Sequence, residues 1–210
     1  MKSMHLTEQL TIFTRYPEPG LTKTRLISAL GEEGAAKLQK ELTEKTLQKI
    51  DRLVKTSHVE PVIYFEGGDL AGMQNWLGPE RLYKPQVHGD LGEKLKKAFR
   101  DAFDAGAERV VTIGCDCPGL TREHIGRAFD ALYLKGLVLG PATDGGYYLI
   151  GMQRPLDALF ENIPWGTDKV LETTVSLAQQ LGLSIEILEE LHDVDRPEDL
   201  ENFNYHSDPE

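Results

Sequence analysis

Several loops of this 210-residue sequence gather residue types suited to phosphate and metal chemistry. The first is Arg15-Tyr16-Pro17-Glu18-Pro19-Gly20-Leu21-Thr22-Lys23-Thr24-Arg25-Leu26, which follows an apolar run and opens a helical pattern. Backbone N–H groups at a helix start, with the helix dipole behind them, favour an anion. Lys23 adds a point charge, while Arg15 and Arg25 can each grip phosphate oxygens through two N–H groups. The Walker A spacing is absent, and a solvated turn with three surface cations is the plainer alternative. Carboxylates recur in two other loops. Asp116, in Gly114-Cys115-Asp116-Cys117-Pro118-Gly119, stands where a hard divalent cation could bridge a strand end to phosphate oxygens; a helix-capping role competes with this. Asp193 and Asp195, in His192-Asp193-Val194-Asp195-Arg196-Pro197-Glu198-Asp199, could complete such a metal site, yet the same stretch is a strong helix start.

Glycines mark two further candidates. Asp144-Gly145-Gly146 permits a tight turn and close approach of a ligand to the backbone, although a simple hairpin turn explains it equally well. In Gln86-Val87-His88-Gly89-Asp90, Gly89 would admit a flat base and Gln86 offers both a donor and an acceptor for its edge. There Asp90 as a helix cap is the alternative, and His88 has little support as a general base. Thr167 or Asp168 after Trp165-Gly166 reads as a cap. Cys115 and Cys117 have poor zinc spacing and read as small buried thiols. No convincing Ser/His/Asp or Cys/His set is present.

These loops need elements to hold them, and the chain supplies an alternation. Leu10–Thr14, Val59–Phe65, Val110–Gly114, Leu137–Leu139, Tyr147–Met152 and Ser184–Leu188 read as strands, with Leu82–Pro85 a weaker one. Leu26–Leu30 (ended by Gly31), Glu33–Lys55, Leu70–Leu77, Leu91–Ala105, a stretch capped by Thr121 and running to Lys135, Thr167–Leu181 and Arg196–Phe203 read as helices from apolar spacing, caps and stops. Strands alternating with helices predict a single α/β sandwich over residues 1–210 with a mainly parallel sheet. Ligands of such sheets bind beyond the carboxyl ends of the strands, where every loop above falls.

Composition narrows the partner. With 23 Lys+Arg against 34 Asp+Glu the formal net charge is -11, which argues against a nucleic-acid polymer. Residues 186–210 hold ten acids and one base, a net of -9, so the remainder carries only -2 and leaves room for a local phosphate site. No apolar run reaches the roughly 20 residues of a membrane span. Residues 1–6 lack the apolar core of a signal peptide, so a cytoplasmic protein is expected. Exposed apolar surface is not readable from sequence, which leaves a monomer and a homodimer both open.

Taken together, Pro-x-Pro-Gly-x-x-Lys-Thr-Arg-Leu, Gly-x-Asp-Cys-Pro, Ala-Thr-Asp-Gly-Gly-Tyr-Tyr-Leu-Ile-Gly and Asp-Val-Asp-x-Pro-Glu-Asp-Leu make the sequence similar to the bacterial glycosyltransferase-A-like family. That family lies near the 2-phospho-lactate guanylyltransferases in the nucleotide-diphospho-sugar transferase superfamily. The resemblance spans about residues 10–203 and implies a three-layer α/β/α Rossmann-like fold with a mostly parallel mixed sheet. It implies nucleotide phosphates at Gly20, Lys23 and Arg25, with Arg15 beside them, and a base near Gln86 and Gly89. It also implies a Mg²⁺ (or Mn²⁺) ligand at Asp116, a second metal-side acid at Asp195, and an acceptor-side loop at Asp144, Gly145 and Gly146. Arg15 departs from the family, whose members usually show Lys there. The implied partners are a nucleoside triphosphate or nucleotide-sugar and a small acceptor. Nucleotidyl transfer with release of pyrophosphate is the leading expectation, with Lys23, Arg25 and Asp116 as its catalytic groups. Glycosyl transfer from a nucleotide-sugar and a non-catalytic nucleotide-binding module are the alternatives.

Overall fold

A computed structural model of the chain describes residues 8–203. The leader reading at residues 1–6 and the last acids, Asp208 and Glu210, lie outside the described residues. Seven strands form one sheet: β1 (Glu8–Arg15), β2 (Val59–Glu66), β3 (Leu82–Pro85), β4 (Arg109–Gly114), β5 (Leu137–Pro141), β6 (Tyr147–Met152) and β7 (Ile185–Ile187), in the order β3-β2-β1-β4-β6-β5-β7. β6 pairs antiparallel with both β4 and β5, and the other pairings are parallel. The mixed, mostly parallel sheet expected from the alternation is therefore present, and β6 is its reversed strand.

Helices cover both faces, so the inner strands are apolar on both sides. On one face, α1 (Ile27–Val54), α2 (Leu70–Leu77) and α4 (Arg122–Ala131) bury Leu47, Ile50, Met73, Ile125 and Phe129 against Leu10, Ile12, Val111 and Ile113. On the other, α3 (Leu91–Asp104), a 3-10 turn at Asp157–Phe160 and α5 (Val170–Gln180) bury Leu95, Phe99, Phe160 and Ala178 against Val110, Leu139 and Ile150. A short helix, α6 (Asp199–Phe203), follows β7. No helix among the described residues is long and apolar enough to cross a membrane.

Caps fix where the helices begin. Asp90 accepts from the backbone N–H of Glu93 at 2.9 Å and starts α3 beside the strand ends. Asp90→Ala is expected to lower stability by about 1 kcal/mol, seen as an earlier urea midpoint with an unchanged slope. Thr121 and His124 form a reciprocal capping box at the start of α4. Several boundaries differ from the sequence reading, among them the start of α6, at Asp199 and not Arg196. Gly31 adopts φ 70 and interrupts the helical path, but the chain resumes at once, so the two helices expected around it are one kinked run. α4 stops at Ala131, and Tyr133 and Leu134 lie 56% and 86% exposed in the turn that follows. α5 starts at Val170, because the Thr167 hydroxyl donates to the Pro164 carbonyl at 2.8 Å and shapes a turn instead of opening a helix.

Candidate active site

The carboxyl ends of β1, β2 and β4, with the start of β6, surround a cleft of about 560 Å³. Arg15, Lys23, Arg25, Gln86, Asp116, Asp144, Gly146, Asp193 and Asp195 all line it, whereas Gly20, Gly89 and Gly145 stand outside its lining. Residues drawn from positions 15 to 195 thus share one cavity, as expected for a sheet whose ligand lies at the strand ends.

A buried polar seam lies where the loop between Arg15 and Leu26 leaves β1. The Thr14 and Thr43 hydroxyls are 2.8 Å apart, and the Gln39 amide donates to both, at 3.3 and 3.1 Å. These three side chains are buried, so the seam joins the end of β1 to α1 through paired polar groups. Above it, Lys23 takes a left-handed backbone conformation, φ 43 and ψ 47. Its side chain is 3% exposed, with Nζ 2.6 Å from Asp116 Oδ1. Nζ also donates to the Val194 carbonyl at 2.7 Å. Arg25 pairs with Asp195 at 2.6 Å on the open rim. Val194 completes the arrangement: its N–H donates to the Asp116 carbonyl at 2.8 Å and its side chain packs with Leu26, Leu38 and Leu42.

The acids divide by neighbour. Asp195 faces Arg25. Asp193 lies among carboxylates: burial first, then Asp144, Asp199 and Asp116, push its carboxyl up to about 6. Among the described residues no three His, Cys, Asp or Glu side chains converge to hold a metal ion alone. Mg²⁺ and Mn²⁺ at such sites use one or two carboxylates and take their remaining ligands from phosphate and water. Asp116 and Asp193 both line the cleft and could supply those one or two carboxylates. Asp144 is tied into the glycine turn, where its Oδ1 accepts from Gly146 N–H at 2.8 Å.

Two groups on the opposite wall did not stand out in the sequence. Glu66 bridges Arg15 and Lys94, accepting from Lys94 Nζ at 2.8 Å and from Arg15 through Nε and Nη2. Burial alone would raise the Glu66 carboxyl, but hydrogen bonds from Lys94 and Arg15 outweigh it and hold the group below its ordinary value. The only sequence signal was an acid ending an apolar strand and a lysine one turn into the amphipathic α3. The Gln86 amide donates to the carbonyls of Tyr64, at 3.0 Å, and Thr14, at 3.4 Å, so its N–H groups brace β1 and β2. Gly89 and His88 sit on the exposed approach to α3. Leu91, Leu95, Trp165 and Tyr147 give the cleft an apolar stretch of lining, the Trp165 and Tyr147 rings meeting edge to face. Cys115 and Cys117 are buried, and burial pushes the Cys115 thiol up to about 12.

This fold is that of the nucleotide-diphospho-sugar transferase superfamily. The chain belongs to the family described as "Uncharacterized protein conserved in bacteria (DUF2064)", whose model matches residues 47–167. That segment carries Asp116 and the Asp144-Gly145-Gly146 turn. No functionally curated protein matches the chain. Among solved structures, a candidate nucleotide-diphospho-sugar transferase of Desulfovibrio desulfuricans G20 is 34% identical with a TM-score of 0.87, over 96% of this chain and 89% of that one. The 4-diphosphocytidyl-2C-methyl-D-erythritol synthase of Anaerococcus prevotii DSM 20548 shares the fold at 14% identity and a TM-score of 0.63, over 94% of each chain. Glucosyl-3-phosphoglycerate synthase of Mycobacterium tuberculosis, solved with Mn²⁺, UDP and glucosyl-3-phosphoglycerate, does so at 13% identity and 0.57, over 93% of this chain and 75% of that one.

Proposed function

We propose that this protein is a metal-dependent nucleotidyltransferase acting on a nucleoside triphosphate and a small phosphorylated acceptor. The observation that carries the reading is the meeting of Lys23 and Arg25 with Asp116 and Asp193 across one cleft. An acceptor oxygen attacks the α-phosphorus, a new P–O bond forms, the bond to the bridging oxygen breaks, and pyrophosphate leaves with the electron pair. Lys23 and Arg25 neutralise charge on the leaving pyrophosphate, and the Val194 carbonyl helps to anchor the Lys23 ammonium. Asp116 and Asp193 would hold a Mg²⁺ or Mn²⁺ ion, which supplies Lewis-acid polarisation of the phosphoryl oxygens. Glu66 orients Arg15 and Lys94 on the far wall. No protein nucleophile is needed, in keeping with the two buried, high-pKa cysteines. A cytoplasmic setting, where thiols stay reduced, accords with this reading.

Glycosyl transfer is the second reading, favoured by the fold shared with a synthase solved with UDP and Mn²⁺. Against it, Asp193-x-Asp195 does not act as a pair here, since Asp195 faces Arg25. A thermal-shift panel of nucleoside triphosphates and nucleotide-sugars, each with and without Mg²⁺ or Mn²⁺, separates the readings. A ligand at a hundredfold excess over Kd stabilises by about 2.7 kcal/mol. The expected result is a rise with triphosphates in the presence of metal, followed by pyrophosphate release once the acceptor is supplied. A response confined to nucleotide-sugars overturns nucleotidyl transfer in favour of the second reading. Metal-independent binding without any product favours a binding module.

A further inference from the structure

Lys23 is an unusual cation for a phosphate loop, because its charge is already taken. Its ammonium sits 2.6 Å from Asp116 Oδ1 and 2.7 Å from the Val194 carbonyl, and its side chain is only 3% exposed. The other loop cation, Arg25, is 57% exposed and pairs with Asp195 at the rim. Asp116 is 48% exposed, so one side of its carboxylate is open to the cleft while Oδ1 is held by the lysine. The Val194 N–H returns to the Asp116 carbonyl, and the lysine, the aspartate and Val194 form a closed ring.

A free divalent cation arriving at Asp116 meets that ammonium at the same carboxylate. Lys23 has no other anion to turn to within the ring, and two like charges at one carboxylate repel more strongly inside a cleft than in water. A polyphosphate changes the balance, since its oxygens offer Lys23 a replacement anion while they share the cation with Asp116. We infer that Lys23 holds the place of the divalent cation on Asp116, so that the site accepts the cation only together with a polyphosphate. The substrate is then a metal–polyphosphate complex, and loading is synergistic by linkage: each component raises the affinity for the other by the same factor. This rests on the metal-dependent reading above but makes a separate claim about the order of loading.

The test is Mn²⁺ binding without nucleotide, followed by electron paramagnetic resonance, in the wild type, Lys23→Met and Arg25→Met. Both variants remove one positive charge from the same loop, but only one of those charges sits on Asp116. Lys23→Met is expected to bind Mn²⁺ at least tenfold more tightly than the wild type, and Arg25→Met less than threefold more tightly. In the wild type, the melting temperature is expected to rise with Mn²⁺ and inorganic tripolyphosphate together and to stay within a degree with either alone. Equal Mn²⁺ affinity in the wild type and Lys23→Met overturns the inference while leaving a metal site standing. Tight binding by Lys23→Met alongside indifference to every nucleotide upholds it and overturns nucleotidyl transfer. Failure of all three proteins to bind Mn²⁺ without nucleotide overturns the inference, and absence of any melting response to Mn²⁺ with tripolyphosphate overturns the metal-dependent reading as well. Should Lys23→Met fold poorly by circular dichroism, the wild-type melting experiment decides alone.

Discussion

Asp116→Asn is expected to lower turnover at least about 10²-fold and to lower the melting temperature as well, since it removes the charge opposite a buried ammonium. Asparagine keeps an oxygen for the Lys23 ammonium but no charge to balance it, so folded protein and turnover are measured separately. Asp193→Asn is expected to cost a comparable factor, because Asp193 faces Asp116 and Asp144 in the cleft. Asp195→Asn is expected to cost roughly tenfold or less, since it loses only an ion pair on the exposed rim, a kind worth about 1 kcal/mol or less. Steady-state pyrophosphate release from the three variants, beside their melting curves, checks the order. A larger loss at Asp195 than at Asp193 would assign the metal to the other acid.

The second large effect is on stability. Gly145 has φ +87, and a Cβ placed there would lie 2.3 Å from the Asp168 carbonyl oxygen. Gly145→Ala therefore carries both a left-handed backbone cost of about 1–2 kcal/mol and an overpacking cost of about 1–3 kcal/mol. Gly106→Ala is the internal control: φ is +96 but nothing lies within 4 Å of the added atom, so only the backbone part applies. Equilibrium urea unfolding is expected to show Gly145→Ala less stable by about 3 kcal/mol and Gly106→Ala by about 1 kcal/mol. The larger loss follows from the Gly145 carbonyl accepting from Leu171 N–H at 2.9 Å, which ties the Asp144 turn to the start of α5. Equal losses would show that the approach of the 167–169 turn to Gly145 yields without strain.

How far the sequence discloses this molecule depends on the range of the interaction involved. Val110–Gly114 reads as an inner strand because its apolar run is continuous, and burial on both faces is what such a run encodes. α3 reads correctly because Asp90 caps it and Leu95, Ala98, Phe99 and Ala102 share a face. The end of α4 was not legible, since no glycine or proline stop marks Ala131 and nothing local says that Tyr133 and Leu134 meet solvent. The site was legible as a set of loops and illegible as a set of pairs. Asp193 and Asp195 are alike by type, and only the fold shows that Arg25, 170 positions away, pairs with Asp195. Gln86 was read as a base contact from its donors and acceptor, yet its N–H groups serve two strand carbonyls that only the assembled sheet brings near it. The Glu66 bridge escaped notice for the same reason, as it joins β1, β2 and α3.

The ring of Lys23, Asp116 and Val194 also sets a timetable. The lysine and the carbonyl it donates to are 171 positions apart, and at 5–20 residues per second a ribosome needs about 9–34 s to make the chain between them. Through that interval the nascent protein can assemble β1, β2 and β4 and bury most of its core, yet its loop cation has no Val194 to anchor it. The carboxylate at position 193 has not been made either. Under the proposed function, competence therefore arrives late, because a chain halted near residue 190 has neither Asp193 nor the Val194 carbonyl that holds Lys23.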